Sequence, residues 1–146
     1  WHIVTPPFLL TVMVHCVIMS KQDSFNHLNR WSKRMKYFIT EEERKTSGST
    51  CYFEFMKGRY HDKCWLPDSI SISDELWDEV GLSKLISGVI GCFDYYGVTV
   101  INKHQWGEIV KNSKGSDPII EDVIEELIPW LKDCFKEYEV FTILGI

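Results

Sequence analysis

The chain has 146 residues, of which 45% are hydrophobic and 25% are charged, and its formal net charge at pH 7 is -5. This length allows about one folded core, and the composition excludes a wholly disordered or collagen-like chain. The acidic balance argues against a broad nucleic-acid-binding surface, because phosphate neutralisation needs clustered Lys and Arg.

The charge is divided unequally along the chain. Residues 1–34 hold four basic and one acidic side chain, a net of +3, whereas residues 35–146 hold 12 basic and 20 acidic ones, a net of -8. We therefore divide the chain into an apolar and basic N-terminal extension, residues 1–34, and an acidic domain, residues 35–146.

The extension contains an apolar run, residues 3–19, which is shorter than the roughly 20 residues that span a bilayer and is interrupted by two prolines. Three interpretations stay open: a membrane-associated anchor, a strand or helix that docks on the acidic domain, or upstream sequence read in frame before a start at Met19 or Met35. We favour the third, because the composition changes sharply at Met35. No membrane association is expected for the acidic domain.

The first part of the acidic domain has the pattern of β-structure. Residues 36–40 alternate between apolar and polar side chains, and residues 50–56 form the clearest early strand. The acidic and polar segment between them predicts a connection without regular structure. Residues 57–63 suit a hairpin turn, and residues 64–66 are expected to return as a short strand.

A helix is expected to begin near Ser71 or Ser73, either of which can cap it, and acidic residues follow in its first turn. Gly81 is expected to interrupt this helix, and the helical apolar pattern resumes over residues 82–93. A further strand is predicted at residues 95–101.

Two more helices follow this strand. Asn102 and Gln105 have the spacing of a capping box. Asp117 can cap the last helix, with Pro118 at its first position. Pro129 lies inside the last helix and is expected to kink it, or to split it near residue 127, at a cost of about 3 kcal/mol if uncompensated.

An apolar strand at residues 140–146 ends the chain and suits the interior of a sheet. The element order predicts an α+β fold, a single small domain with a mixed or antiparallel sheet and three to four helices packed on it. Two helices separate the strand at residues 95–101 from the last strand, so these two strands could be parallel or separated.

No segment carries a recognisable catalytic, nucleotide-binding or metal-binding motif, and we expect no cofactor, no metal and no catalytic residue. The five cysteines are widely spaced and form no CxxC pair. Cys134 falls on an apolar helical stripe and Cys51 on a strand face, which predicts buried reduced thiols in a cytoplasmic protein. A Cys51–Cys64 bridge across the hairpin is an alternative without further support.

Acidic side chains on two predicted helices are the main functional signal. Carboxylates four residues apart lie on the helix face away from the apolar stripe. They form either a simple solvated face or a negative surface that meets a basic protein partner, with a tryptophan as anchor. The predicted partner-binding residues are Asp74, Glu75, Trp77, Asp78, Glu121, Asp122 and Glu125.

The acidic domain resembles the small acidic immunity proteins of bacterial contact-dependent and polymorphic toxin systems. The resemblance is carried by the segments DELWDEVGLSKLISGVIGCFDYYGVTVINKHQWGEIV and IEELIPWLKDCFKEYEVFTILGI. It rests on size, acidity, short Trp-bearing helices and a C-terminal strand, with no diagnostic motif. It implies a non-enzymatic cytoplasmic protein that binds and neutralises a cognate toxin domain, for which a nuclease is the easiest match.

Two other functions stay open. A small hydrolase would use Cys64 and His61, and it requires both side chains in one concave pocket with the thiol partly exposed. A regulatory or adaptor protein would show an exposed apolar patch or an open sheet edge. The sequence does not predict the oligomeric state.

Overall fold

Five strands and five helices form the part of the chain that the computed structural model describes, residues 35–146. The predictions for residues 1–34 lie outside this range. The strands are β1 (Ile39–Thr40), β2 (Tyr52–Lys57), β3 (Ile70–Ser73), β4 (Val98–Asn102) and β5 (Val140–Leu144). The helices are α1 (Glu41–Ser47), α2 (Asp74–Val80), α3 (Leu82–Ile90), α4 (Lys103–Ser113) and α5 (Pro118–Glu137). The predicted α+β class is confirmed, with one helix more than expected.

The strands form one antiparallel sheet with the order β1-β3-β2-β5-β4. The C-terminal strand β5 lies between β2 and β4, which confirms its predicted interior position. It pairs directly and antiparallel with β4, with Ile101 opposite Phe141. The two helices between β4 and β5 therefore bring the chain back to the position beside β4. The predicted alternatives, a parallel pair or two separated strands, do not occur.

The central strand β2 is buried on both faces. Phe53 and Phe55 point to one face and Glu54 and Met56 to the other, as strand alternation requires, and none of the four is more than 2% exposed. The aromatic face packs against Trp77, whose ring centroid lies 4.1 Å from that of Phe53. The opposite face carries a buried carboxylate that needs hydrogen-bond partners.

The aromatic face of the sheet is covered by helices α2 to α5, which contribute to one continuous hydrophobic core. Its helical members include Trp77, Leu82, Ile109, Leu127 and Leu131, all of them 1% exposed or less. These residues recur at helical spacing, so each helix turns one apolar stripe inward and leaves a polar face outside.

The other face is partly covered by the segment that follows β2. The backbone amides of Trp65 and Leu66 donate to the Glu54 carboxylate at 2.8 and 3.0 Å. Arg44 of α1 stacks over the Trp65 ring at 3.9 Å and pairs with Glu41 at 2.7 Å. These two amides satisfy the hydrogen-bonding needs of the buried Glu54 carboxylate. The same two hydrogen bonds hold the loop around Trp65 against the sheet.

Most local capping signals behave as predicted. Ser73 caps α2 by accepting from the backbone amide of Leu76, and Gly81 ends that helix in the left-handed conformation. Asn102 and Gln105 form a reciprocal capping box at the start of α4. Asp117 caps α5.

Helix α5 runs through Pro129 as a single helix of 20 residues, so the predicted split near residue 127 is wrong. Pro129 itself is exposed, while the flanking residues Leu127, Trp130 and Leu131 are buried. Their packing offsets the lost backbone hydrogen bond, and the proline ring lies on the solvent side. Within residues 35–146, no helix has both the length and the apolar character needed to cross a bilayer.

Four of the early predictions differ from the structure. The strand expected at residues 36–40 is only the two-residue β1, and the polar connection after it is helix α1, which begins with a Thr40–Glu43 capping box. Residues 64–66 form no strand, because Trp65 has a φ of +57° and its backbone amide is bound by Glu54. The strand that returns along β2 is instead β3, Ile70–Ser73, which lies in the segment where a helix was expected to begin.

Two long-range contacts fix α5 to the rest of the domain. Lys57 of β2 pairs with Asp133 at 2.7 Å, and this hydrogen bond and charge lower the pKa of Asp133. The Glu126 carboxylate accepts the backbone amides of Lys36, Tyr37 and Phe38, each at 2.9 Å. The Glu126 side chain therefore ties the backbone that leads into β1 to α5, in addition to the packing of Phe38 in the core.

We predict that Glu126→Ala lowers the free energy of unfolding by about 1–3 kcal/mol, because it removes the charged acceptor of three backbone amides. Urea denaturation of the full chain measures this. The neighbouring Glu125→Ala is the matched control, since Glu125 is exposed, and its effect should stay within about 0.5 kcal/mol. Equal effects of the two substitutions would show that the Glu126 contact is not stabilising.

Candidate functional site

Trp77, which we predicted to be an exposed anchor for a partner, is fully buried, so that prediction is wrong. Its ring stacks on Phe53 and on Phe93, with centroids at 4.1 and 5.0 Å, and its Nε1 donates to Ser83 Oγ at 2.6 Å. The aromatic partners of Trp77 come from β2 and from the segment after α3. A buried Trp with its polar atom satisfied contributes to the core.

The burial of Trp77 fixes the outward face of α2. Because Trp77 and Val80 point into the core, Glu75, Asp78 and Glu79 share the opposite face, and all three are exposed. Glu79 is not among the predicted partner-binding residues. Its position four residues after Glu75 places it on the same helix face, and this spacing could have identified it. A short acidic surface therefore follows directly from the apolar spacing.

Asp74 has a different environment from these three residues. It lies in the first turn of α2, is half-buried, and accepts the backbone amide of Glu75 at 2.9 Å. An acidic side chain at this position stabilises the helix through its dipole. Asp74 is therefore partly used by the helix itself.

An exposed aromatic lies beside this acidic surface. The Tyr95 hydroxyl donates to Asp78 at 3.2 Å, and burial together with this hydrogen bond raises the pKa of Tyr95. The Tyr96 ring lies against Tyr95 with centroids 5.0 Å apart, and Tyr96 is 79% exposed. Trp77 is buried and cannot contact a partner, so Tyr96 is the exposed aromatic side chain beside these carboxylates.

The carboxylates of α5 divide into internal and free groups. Glu121 is half-buried and accepts the backbone amide of Gly115 at 2.8 Å, which closes the loop before the helix. Glu126 holds the chain before β1. Asp122 and Glu125 are exposed and lie three residues apart, on the face opposite the buried stripe.

Four of the six predicted acidic side chains are exposed, and Glu79 makes a fifth exposed carboxylate on the same helix faces. The salt bridges among residues 35–146 involve only Glu41 and Asp133 on the acidic side. Among residues 35–146, therefore, no ion pair has to break before these carboxylates meet a basic partner, although Asp78 also accepts the hydrogen bond from Tyr95. They are Glu75, Asp78 and Glu79 on α2 and Asp122 and Glu125 on α5.

The residues considered for hydrolysis are not brought together in one pocket. A cleft of about 430 Å³ is lined by Cys64 together with Tyr60, Trp65 and Tyr96, but His61 is not among its lining residues. Cys64 is exposed, as a nucleophile would require, but among the described residues that line this cleft there is no histidine to act as the base that activates a thiol.

The thiols differ from the prediction in part. Cys134 is buried, and this burial raises its pKa, whereas Cys51, Cys64 and Cys92 are exposed. Cys51 precedes β2, which begins at Tyr52, so the strand face expected to bury it does not include it. All four are free, and the alternative Cys51–Cys64 bridge is not formed.

A feature expected of an adaptor is present at one edge of the sheet. Strand β4 is an edge strand, and its first residue, Val98, is 47% exposed. Exposed edges can pair with an added strand.

Among the described residues, no group of three or more His, Cys, Asp or Glu side chains is arranged to hold a metal ion. The chain matches no protein-family model, no curated protein and no solved structure. The candidate site is therefore defined by its own geometry, as two acidic helix faces: one on α2, with Tyr96 beside it, and one on α5.

We predict that Trp77→Ala lowers the free energy of unfolding by about 3–5 kcal/mol, because it leaves a large cavity between β2 and α2. The milder Trp77→Phe keeps an aromatic ring on Phe53 and loses the Ser83 hydrogen bond, so its loss should be smaller. Urea denaturation measures both. A loss below about 0.5 kcal/mol for Trp77→Ala would be the result expected of a surface residue and would contradict the buried position.

Proposed function

We propose that this chain is a non-enzymatic immunity protein that binds and neutralises a cognate bacterial toxin domain in the cytoplasm, a nuclease domain being the best match. The observation that carries the proposal is the pair of exposed acidic helix faces whose carboxylates form no internal ion pairs within the described range. The resemblance to small acidic immunity proteins supports the same class.

The proposed mechanism is occlusion of a basic surface. A nuclease presents Lys and Arg side chains to the phosphates of its substrate, and these groups attract a protein whose described part carries a net charge of -8. Complementary charge speeds encounter and selects the partner. Carboxylates on α2 and α5 would then occupy the positions that phosphates take in the toxin.

The core makes this surface rigid before binding. Helix α2 is fixed by Trp77, and α5 is fixed by its buried stripe and by Lys57–Asp133. A surface that is already ordered loses less conformational entropy when it binds. Tyr96 adds an aromatic group of the kind that dominates binding hot spots.

Co-expression with a candidate toxin domain from the neighbouring gene tests the proposal. We expect the wild-type chain to restore growth, and Glu75→Lys/Glu79→Lys to weaken toxin binding by at least about tenfold and to lose protection. The same holds for Asp122→Lys/Glu125→Lys. Affinity is measured by calorimetry at low and high salt, where binding should be weaker at high salt.

The matched control is Glu137→Lys/Glu139→Lys, which makes the same change in net charge at two exposed positions away from the acidic faces. It should keep both affinity and protection. Growth arrest in the presence of well-expressed wild-type chain would sink the proposal. An equal loss in the control pair would show that overall charge, and not the acidic faces, governs binding.

A further inference from the structure

A second surface, with the opposite charge, lies between α4 and α5. A groove of about 540 Å³ runs between the two helices. Its apolar lining comes from Trp106 and Val110 of α4 and from Ile128, Leu131 and Phe135 of α5. Volumes of this size are typical of pockets that hold small apolar ligands.

Three lysines line the same groove, although the described part of the chain is strongly acidic. Lys103 is the first residue of α4, and Lys132 and Lys136 lie in the last two turns of α5. Lys103 and Lys132 take part in no salt bridge among residues 35–146. Lys136 makes a 3.4 Å contact with Asp133 and is 71% exposed, while Asp133 is held more closely by Lys57 at 2.7 Å.

The groove is polarised along its length. Residues 114–117 alone join α4 to α5, so the two helices run roughly antiparallel and the start of α4 lies beside the end of α5. Lys103 and Lys136 therefore lie at one end and Val110 and Ile128 at the other, with Lys132 one turn in from Lys136. A ligand that matches this arrangement has one anionic head and one apolar tail.

Gly107 contributes to the depth of the groove. It lies in the interior of α4, where glycine costs about 1 kcal/mol relative to alanine, and it lines the groove. A Cβ atom built at Gly107 meets nothing within 4 Å, so packing inside the domain does not require glycine there. The missing side chain deepens the groove.

We propose that this groove binds a free medium-chain fatty acid, with the carboxylate at the lysine end and the alkyl chain over Trp106 and Phe135. The lining of α5 from Ile128 to Lys136 spans about 12 Å, which suits an extended alkyl tail of medium length. An acidic amphipathic helix would need cations along both flanks, whereas Lys103, the first residue of α4, is the single cation that the described residues place on the α4 side of the groove lining. This site is separate from the acidic faces and does not depend on the proposed toxin binding.

The test is calorimetric titration of the full chain with laurate below its micelle concentration. We expect saturable binding of one laurate per chain. Dodecyl maltoside, which has the same tail and a neutral head, should bind at least about tenfold more weakly, because it lacks the charge-assisted contacts. Vesicles of phosphatidylglycerol separate a membrane surface from a free acid, and the chain should not bind them.

Two pairs of variants locate the site. Lys132→Glu/Lys136→Glu should weaken laurate binding by at least about tenfold, whereas Lys111→Glu/Lys114→Glu, with the same charge change at exposed positions off the groove, should not. Gly107→Leu should abolish binding by filling the groove. Gly88→Leu is its control, since Gly88 is also helical, open at its Cβ position and outside the groove.

The proposal is overturned by any of three results: no saturable binding of laurate, equal binding of laurate and dodecyl maltoside, or binding to vesicles alone. It is also overturned if the control variants lose laurate binding as much as the groove variants do. Circular dichroism of each variant confirms that the comparison is made between folded chains.

Discussion

The stacking of Trp77 on Phe53 is the contact on which the arrangement of the domain depends. It joins helix α2 to the central strand, with ring centroids 4.1 Å apart and planes 18° apart. Because Trp77 occupies the inward side of α2, Glu75 and Glu79 must face solvent. Helix α5 obeys the same constraint, since its buried stripe leaves Glu125 outside. The acidic surface is thus a consequence of how the core is filled.

Features set by neighbouring residues could be predicted from the sequence. The caps at Ser73 and Asn102 depend on backbone amides within three residues, and both are confirmed. Helix α1 carries the same kind of signal, Thr40 with Glu43, but the β-prone residues before it outweighed that signal. Strand β3 was missed because ISIS is short and runs directly into the cap of α2, so its pairing with β2 decides its conformation.

Features set by distant residues could not be predicted in this way. Glu125 and Glu126 are adjacent and chemically identical, yet Glu126 accepts backbone amides from 88 to 90 residues away, while Glu125 stays in solvent. Trp77 likewise has a spacing that fits either a core position or an anchor, and only its contact with Phe53 and Phe93 decides between them. Both helices that carry the predicted carboxylates are formed, but Trp77 lies in the core, and Asp74 and Glu121 accept backbone amides near the helix starts. Partner binding by the exposed carboxylates stays a prediction.

Hydrogen exchange of the chain, free and mixed with a candidate toxin domain from the neighbouring gene, tests the central claim most directly. The account predicts slower exchange on binding in α2, in the first turns of α5 and around Tyr96, with α1 and β1 unchanged. Protection confined to the β4 edge or to α1, or the absence of any protection in residues 35–146, would contradict the assignment of the acidic helix faces as the binding surface.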